Sequence, residues 1–290
     1  MKSRAMRGIL VALVLPLIGG CASSMDGAAA SKTTLDRIKS SKTVVFGYRE
    51  ASVPFSYVGS SGGPTGYSVD LCNRVSQSLQ KELQVPDLGI KWVPVTVDNR
   101  MTALQNGTID LECGSTTNTL GRQAQVDFSL TTFITGGSLL ALKDAQIGDL
   151  RNLRIAVIPG TTTERTLKDA GTAAGFELKL VPVKDHAEGR AAIEDGKADT
   201  YASDRDILVG LAITAKDPSR FVLGDRYFSY EPYALMMRRN DPDFRLAVNR
   251  ALARLYRSGE IIDVYTKWFG MLGPPSALQI ATYAVQGLPE

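Results

Sequence analysis

A chain of 290 residues is long enough for one large domain or two of ordinary size, and with 44% apolar and 22% charged residues it can bury a real core. Its 33 basic and 30 acidic residues give a formal charge of +3, but Lys2, Arg4 and Arg7 lie in an acid-free N-terminal leader whose loss leaves 30 against 30. That balance argues against a basic nucleic-acid surface, so no nucleic-acid partner is expected, and no later apolar run is long enough to span a membrane.

The three basic residues precede "GILVALVLPLIGG", an apolar stretch interrupted by Pro16, which marks residues 1–20 as a secretory signal peptide. "LIGGC" sets Ile18, Gly19 and Gly20 before Cys21 and resembles a bacterial lipobox, although leucine is commoner at the Ile18 position. Two readings follow. Either Cys21 is lipidated and anchors the exported protein to a membrane, or an ordinary signal is cut a few residues later, around Ala28–Ala30. Residues 21–34, small and polar, read as a flexible tether.

The mature chain alternates short apolar runs with helical patterns, the sequence form of an α/β protein. "TVVFGY" (43–48) predicts a strand. The next helix places Val69, Cys72, Val75, Leu79 and Leu83 on one face. "IKWVPV" is a strand, "NRMTALQNG" a short helix stopped by Gly107, and "TIDLEC" a strand. The style then repeats, with strands at "RIAVI" and "FELKLVPV" and helices at "PGTTTERTLKDAG" and "HAEGRAAIEDG". "LQNGTIDLECGS" and "IEDGKADTYASD" share the order of helix end, glycine stop, short strand and polar loop.

This repetition predicts two similarly built lobes, residues 35–134 plus 235–274 and residues 137–232, with a C-terminal tail at 275–290 of no clear role. "FITGGSLLAL" (133–142) crosses outward and "SYEPYALMM" (229–237) crosses back, a two-stranded hinge around a ligand cleft. The helices "PDFRLAVNRALARLY" and "EIIDVYTKWFG" complete the first lobe. Loops at the carboxyl ends of strands form the crevice of such sheets, which turns "GSTTNTLGR" and "ASDRD" toward each other. An exported protein can keep a disulfide, so Cys72 and Cys113 are either bonded or two small buried residues. With no CxxC or His-rich spacing, no metal site is expected, and no cofactor is implied.

The cleft's polar groups are hydroxyls, arginines and helix starts without an evident nucleophile–base pair, which suits anion binding better than catalysis. Arg122 offers a rigid five-donor fork for a carboxylate, beside the hydroxyls of Ser115 and Thr117; alone it would read as a surface charge near a helix start. "GTTTE" (160–164) has a capping box at Thr161 and Glu164, so Thr162 sits at a helix N-terminus able to hold an anion; most such motifs only cap. Asp204 is a candidate acceptor for an ammonium group or a plain N-cap. Arg49, Arg100 and His186 add cationic or switchable groups. Converging with Arg122, they would exceed the needs of one carboxylate and suit two.

These residues carry a resemblance. "REASVPFSY", "GYSVDL", "LQNGTIDLECGSTTN", "GTTTE", "KDH" and "YTKWF", from about residue 34 to 272, resemble the periplasmic amino-acid-binding proteins of ABC importers, most of all the glutamate/aspartate-binding branch. The resemblance implies a bilobal binding protein that hands an acidic amino acid to ABC permease subunits, as a monomer. It places Arg122, with Thr117 and Thr162, on the ligand's α-carboxylate, Ser115 and Asp204 near the α-ammonium, and Arg49, Arg100 and His186 on the side-chain carboxylate. Two positions depart. Val97 stands where those relatives have a serine, which leaves the choice between glutamate and aspartate open. Ser68 replaces a commonly acidic residue. The same fold also supports prephenate- or arogenate-type dehydratases and sensor modules for membrane receptors, the two alternatives to import.

Overall fold

A computed structural model describes residues 33–145, 147 and 149–290, so the signal peptide, Cys21 and most of the tether lie outside the described residues. The chain begins with α1 (Thr34–Ser41), β1 (Thr43–Tyr48), the short strands β2 (Ala51–Ser52), β3 (Ser56–Val58) and β4 (Pro64–Thr65), and α2 (Tyr67–Glu82). β5 (Gly89–Pro94), α3 (Arg100–Gln105), β6 (Leu111–Glu112), α4 (Leu120–Gln123) and β7 (Val126–Thr135) follow. Then come β8 (Gly137–Leu142), β9 (Arg154–Val157), α5 (Thr162–Ala174), β10 (Lys179–Pro182), α6 (His186–Glu194), β11 (Thr200–Asp204), α7 (Arg205–Ile213) and β12 (Phe221–Leu223). The chain returns through β13 (Glu231–Arg238) to α8 (Pro242–Ser258), α9 (Glu260–Phe269) and α10 (Ala277–Gln286).

Among the described residues the long strands make two five-stranded sheets, ordered β5-β1-β6-β13-β7 and β10-β9-β11-β8-β12. The orders are the same pattern twice. In each, the first of three parallel strands lies between the second and third, and an antiparallel strand, β13 or β8, pairs with the third. Each sheet is the centre of one lobe, so the two-lobed α/β architecture read from the repeated element order is the architecture found. The chain leaves the first sheet between β7 and β8 and re-enters it at β13, which pairs with β7 along its length.

α2 buries the face its periodicity marks, with Val69, Cys72, Val75 and Leu79 inside. No side chain caps its start; the amides of Tyr67 and Ser68 donate to the carbonyls of Pro54 and Phe55, each at 2.9 Å. This close approach requires Gly66, at φ 128°, since a Cβ there would lie 2.3 Å from the Phe55 carbonyl oxygen. Asp70, one turn on, accepts from Lys267 at 2.7 Å and from the indole of Trp268 at 3.2 Å, tying α2 to α9. Two of the recognisable motifs, "GYSVDL" and "YTKWF", are thus joined as a structural lock. Where these elements meet the hinge strands, Phe55, Tyr67, Phe133, Tyr233 and Phe269 pack edge to face, tilted or stacked, with centroids 4.8–6.3 Å apart.

Two segments do more than their sequence suggests. Thr33 and Asp36 form a capping box that starts α1 at Thr34, inside the stretch assigned to the tether. The C-terminal tail holds a helix, α10, that covers the edge strand β7. Gln279 accepts from the amide of Ile134 at 2.8 Å and Gln286 from that of Thr131 at 2.7 Å, while Asn249 on α8 accepts from Leu130 at 2.9 Å. The pairing of β7 with β13 shifts register twice, and side-chain amides take up backbone donors on this stretch of the edge strand.

Cys72 on α2 and Cys113 after β6 are bonded, which decides between the two readings of that pair. Closing a loop of 41 residues stabilises by at most about 4 kcal/mol in the chain-entropy model. Replacing both cysteines by serine should therefore lower the urea midpoint without changing the far-ultraviolet circular dichroism at rest. An unchanged midpoint would mean that the packing of α2 alone holds Cys113 and the loop after it.

Candidate functional site

The loop after β6 starts at that disulfide. Gly114 has no room for a side chain, since a Cβ would lie 2.1 Å from a Glu112 carboxylate oxygen and 3.2 Å from the stem of Arg49. The chain then runs Ser115, Thr116 and Thr117, with Thr117 bridged to Tyr233 of β13. The bonds flanking that bridge, Asn118 amide to Pro232 carbonyl at 2.8 Å and Ala234 amide to Thr116 carbonyl at 3.1 Å, leave the backbone of Thr117 facing away from β13. Its carbonyl accepts from the Arg122 guanidinium at 2.8 Å. Arg122 itself sits on the four-residue α4, whose start is capped by the Thr119 hydroxyl at 3.2 Å.

Across the cleft, Thr161 caps α5 by accepting from the Glu164 amide at 3.1 Å. Glu164 reaches back to Gly160 rather than to Thr161, at 2.9 Å. Thr162 and Thr163 are the first residues of the helix, where backbone amides have no partner within the helix. Asp204 occupies the N-cap position of α7, but its side chain makes no capping bond. Its Oδ2 accepts from the Tyr233 hydroxyl, and its Oδ1 is buried without a partner. That geometry favours the acceptor role over the capping role.

All eight residues singled out in the sequence, Arg49, Arg100, Ser115, Thr117, Arg122, Thr162, His186 and Asp204, line one cavity between the lobes, with Val97, Ser203 and Ile207. It encloses about 350 Å³ of space not filled by atoms, the solvent at its mouth included. The lobes touch beside it; a side chain on Gly210 of α7 would lie 2.6 Å from the Val53 carbonyl oxygen.

The electrostatics are those of crowded cations. Arg49 and Arg100 are 5% and 4% exposed. Burial, then the field of Arg100, pushes the guanidinium of Arg49 down to about 10, and the same two causes bring Arg122 to about 10. Burial also lowers Arg100, against the attraction of Glu112. Arg100 donates to Thr116 Oγ1 at 2.5 Å, and the Thr116 hydroxyl in turn donates to Glu112 at 2.9 Å, so a buried carboxylate steadies this arginine through a hydroxyl. Burial, with Arg49 and Arg100 nearby, drops His186 to about 3, leaving the imidazole neutral and hydrogen-bonded to Tyr201 at 2.6 Å. Burial and the neighbouring Glu231 raise Asp204 to about 7.

Sequence reasoning missed Glu112, Thr116, Glu231 and Tyr233, which hold the site together from behind. The available signal was an acid inside each of two apolar strands, "TIDLEC" and "SYEPYALMM". Such an acid is rare unless paired.

A model of the bacterial extracellular solute-binding proteins, family 3, matches residues 44–271. The chain is 40% identical over 251 residues to the L-glutamate/L-aspartate-binding protein of Pseudomonas aeruginosa, covering 85% of this chain and 83% of that one. To the glutamate/aspartate import solute-binding protein of Salmonella typhimurium it is 38% identical over 271 residues, covering 92% and 90%. Among solved structures it is similar to an ancestral amino acid-binding protein described as a precursor of cyclohexadienyl dehydratase, at a TM-score of 0.70 and 27% identity, over 82% of this chain and 99% of that one.

The depressed His186 has a consequence for stability. Its folded value of about 3 lies below the unfolded 6.5, so between them the unfolded chain binds a proton that the folded chain refuses. The stability this preserves is complete above about 6.5 and is lost as pH falls toward about 3. A His186→Gln variant should show a stability curve flatter by up to one proton over that window in denaturant titrations at stepped pH. Parallel curves for the two proteins would place the proton elsewhere.

Proposed function

We propose, from the premise that the chain belongs to the bacterial extracellular solute-binding proteins of family 3, that its cleft captures glutamate or aspartate and presents it to the membrane subunits of an ABC importer. The observation that carries this reading is the meeting of Arg49, Arg100 and Arg122 in one cavity with an unpartnered Asp204 oxygen. Three guanidinium groups offer more donors than one carboxylate takes up, and a buried acceptor calls for an ammonium. A ligand with two carboxylates and one ammonium answers both.

Arg122 and the opening amides of α5 grip the α-carboxylate from opposite lobes. Asp204 takes the ammonium. Arg49 and Arg100 face the side-chain carboxylate, with the neutral His186 beside them as a directional hydrogen-bonding group. An imidazole held near 3 is a poor proton shuttle at neutral pH, which favours recognition over catalysis. Because the ligand touches both lobes only when they are closed, it stabilises the closed form by its differential affinity, and the permease reads that form.

The finer placement belongs to the same reading: a monomer, exported and held to the membrane by lipid on Cys21. The mass of the mature N-terminus tests the anchor, and an unmodified N-terminus beyond Cys21 would refute it.

Charge-assisted hydrogen bonds contribute about 1.5–3 kcal/mol each, and micromolar affinity corresponds to about 8 kcal/mol, so a few such contacts suffice after ordering costs. Calorimetric titration should show tight binding of glutamate or aspartate and weak binding of glutamine. Arg100→Ala should weaken the diacids by roughly tenfold or more and glutamine much less. Equal affinity for glutamate and glutamine in the unaltered protein would reject the two-carboxylate pocket.

A further inference from the structure

We infer that Glu231 is a positioning residue that fixes the direction of the cleft's threonine hydroxyls and thereby makes the site demand an ammonium group on its ligand. The inference rests on the acidic amino-acid reading and deepens it. Glu231 opens β13, the strand by which the chain comes back to the first lobe, and its side chain is among the most buried of the charged groups, at 1% exposure. One carboxylate oxygen accepts from Thr117 Oγ1 at 2.6 Å and from Thr162 Oγ1 at 2.7 Å. The other accepts from Ser229 Oγ at 2.6 Å. Thr117 belongs to the first lobe and Thr162 to the second, and their hydroxyl oxygens lie 3.4 Å apart. A single oxygen on the hinge strand therefore gathers one hydroxyl from each side of the cleft.

A hydroxyl carries one proton, and an ionised carboxylate can only accept. Both threonine protons are spent on Glu231, so what Thr117 and Thr162 can still offer are lone pairs. The sequence suggested these hydroxyls as donors to a carboxylate. The hydrogen bonds reverse that polarity. An anion placed against them meets oxygens with no hydrogen between, and must rely on Arg122 and on the backbone amides of Thr117 and the start of α5. An ammonium, which is all donor, fits them, and Asp204 beside them has an oxygen unpartnered. A diacid without the amine would set its own oxygens against the threonine lone pairs and leave the Asp204 oxygen without a donor, and a buried unsatisfied polar group is costly.

The test titrates the full mature protein, Glu231→Gln and Glu231→Ala with glutamate and with glutarate, the same diacid lacking the amine. The unaltered protein should prefer glutamate by roughly a hundredfold, and Glu231→Ala should shrink that ratio by about tenfold or more, because freed hydroxyls can turn their protons to the diacid. Glu231→Gln, whose amide oxygen still accepts from both hydroxyls, should keep most of it. A role in packing alone would weaken both ligands alike, and an unchanged ratio in Glu231→Ala overturns the inference. Should that variant fail to fold, Thr117→Val takes its place. It should lose about tenfold for glutamate and little for glutarate, with Thr117→Ser restoring the difference; equal losses overturn the inference as well. An unaltered protein that binds neither ligand refutes the acidic amino-acid reading, and this inference falls with it. One that binds glutamate with a ratio indifferent to Glu231 refutes Glu231 alone.

Discussion

Three guanidinium groups are drawn out of water into one cleft, and arginine has no neutral form at ordinary pH with which to escape the cost. Burying an ion costs several kcal/mol after relaxation unless partners are in place. The partners here come from behind the cavity wall. Glu112 reaches Arg100 through Thr116, Glu231 lies near Arg122, and the carbonyl of Thr117 accepts from Arg122 directly. What remains are guanidinium donors lining the cavity and incompletely paired, such as the Nε of Arg100, which is the condition of a site awaiting an anion.

That condition constrains the fold around it. Arg49 directly follows β1, Arg100 opens α3 after β5 and Arg122 sits on α4 after β6, so their aim depends on how the segments after these strands leave the first sheet. The disulfide pins the loop after β6 to α2, and α2 is in turn locked to α9 through Asp70. The edge of the same sheet is sealed by glutamines of α10, and the hinge strand β13 lies next to that edge. The first lobe is thereby braced on the side from which both crossings leave. Motion is left to the crossings themselves and to the contacts between lobes, such as the approach of Gly210 to Val53.

Glu231 links this mechanical frame to the chemistry. Lying on the strand that joins the lobes, it holds a hydroxyl from each, so the polarity of the pocket and the geometry of the closed cleft are set by the same carboxylate. A ligand is then recognised by what the protein's own acids leave unpaired as much as by what its arginines attract.

The sequence by itself determined the elements and much of the site. The helical face of α2, the glycine stop at Gly107, the paired lobes and the cap at Thr161 depend on neighbours a few residues away, where periodicity and turn chemistry act. The loops carrying Arg122, Thr162 and Asp204 were legible because a parallel sheet sends its loops to one crevice. Tertiary structure alone decided whether Cys72 and Cys113 were bonded, whether Asp204 capped its helix, and that the C-terminal tail was a helix covering the edge strand. It alone revealed Glu231, whose partners Thr117 and Thr162 lie 114 and 69 residues away. No local pattern specifies a partner at that distance; only the register of β13 against β7 and the closing of the lobes bring the three oxygens together.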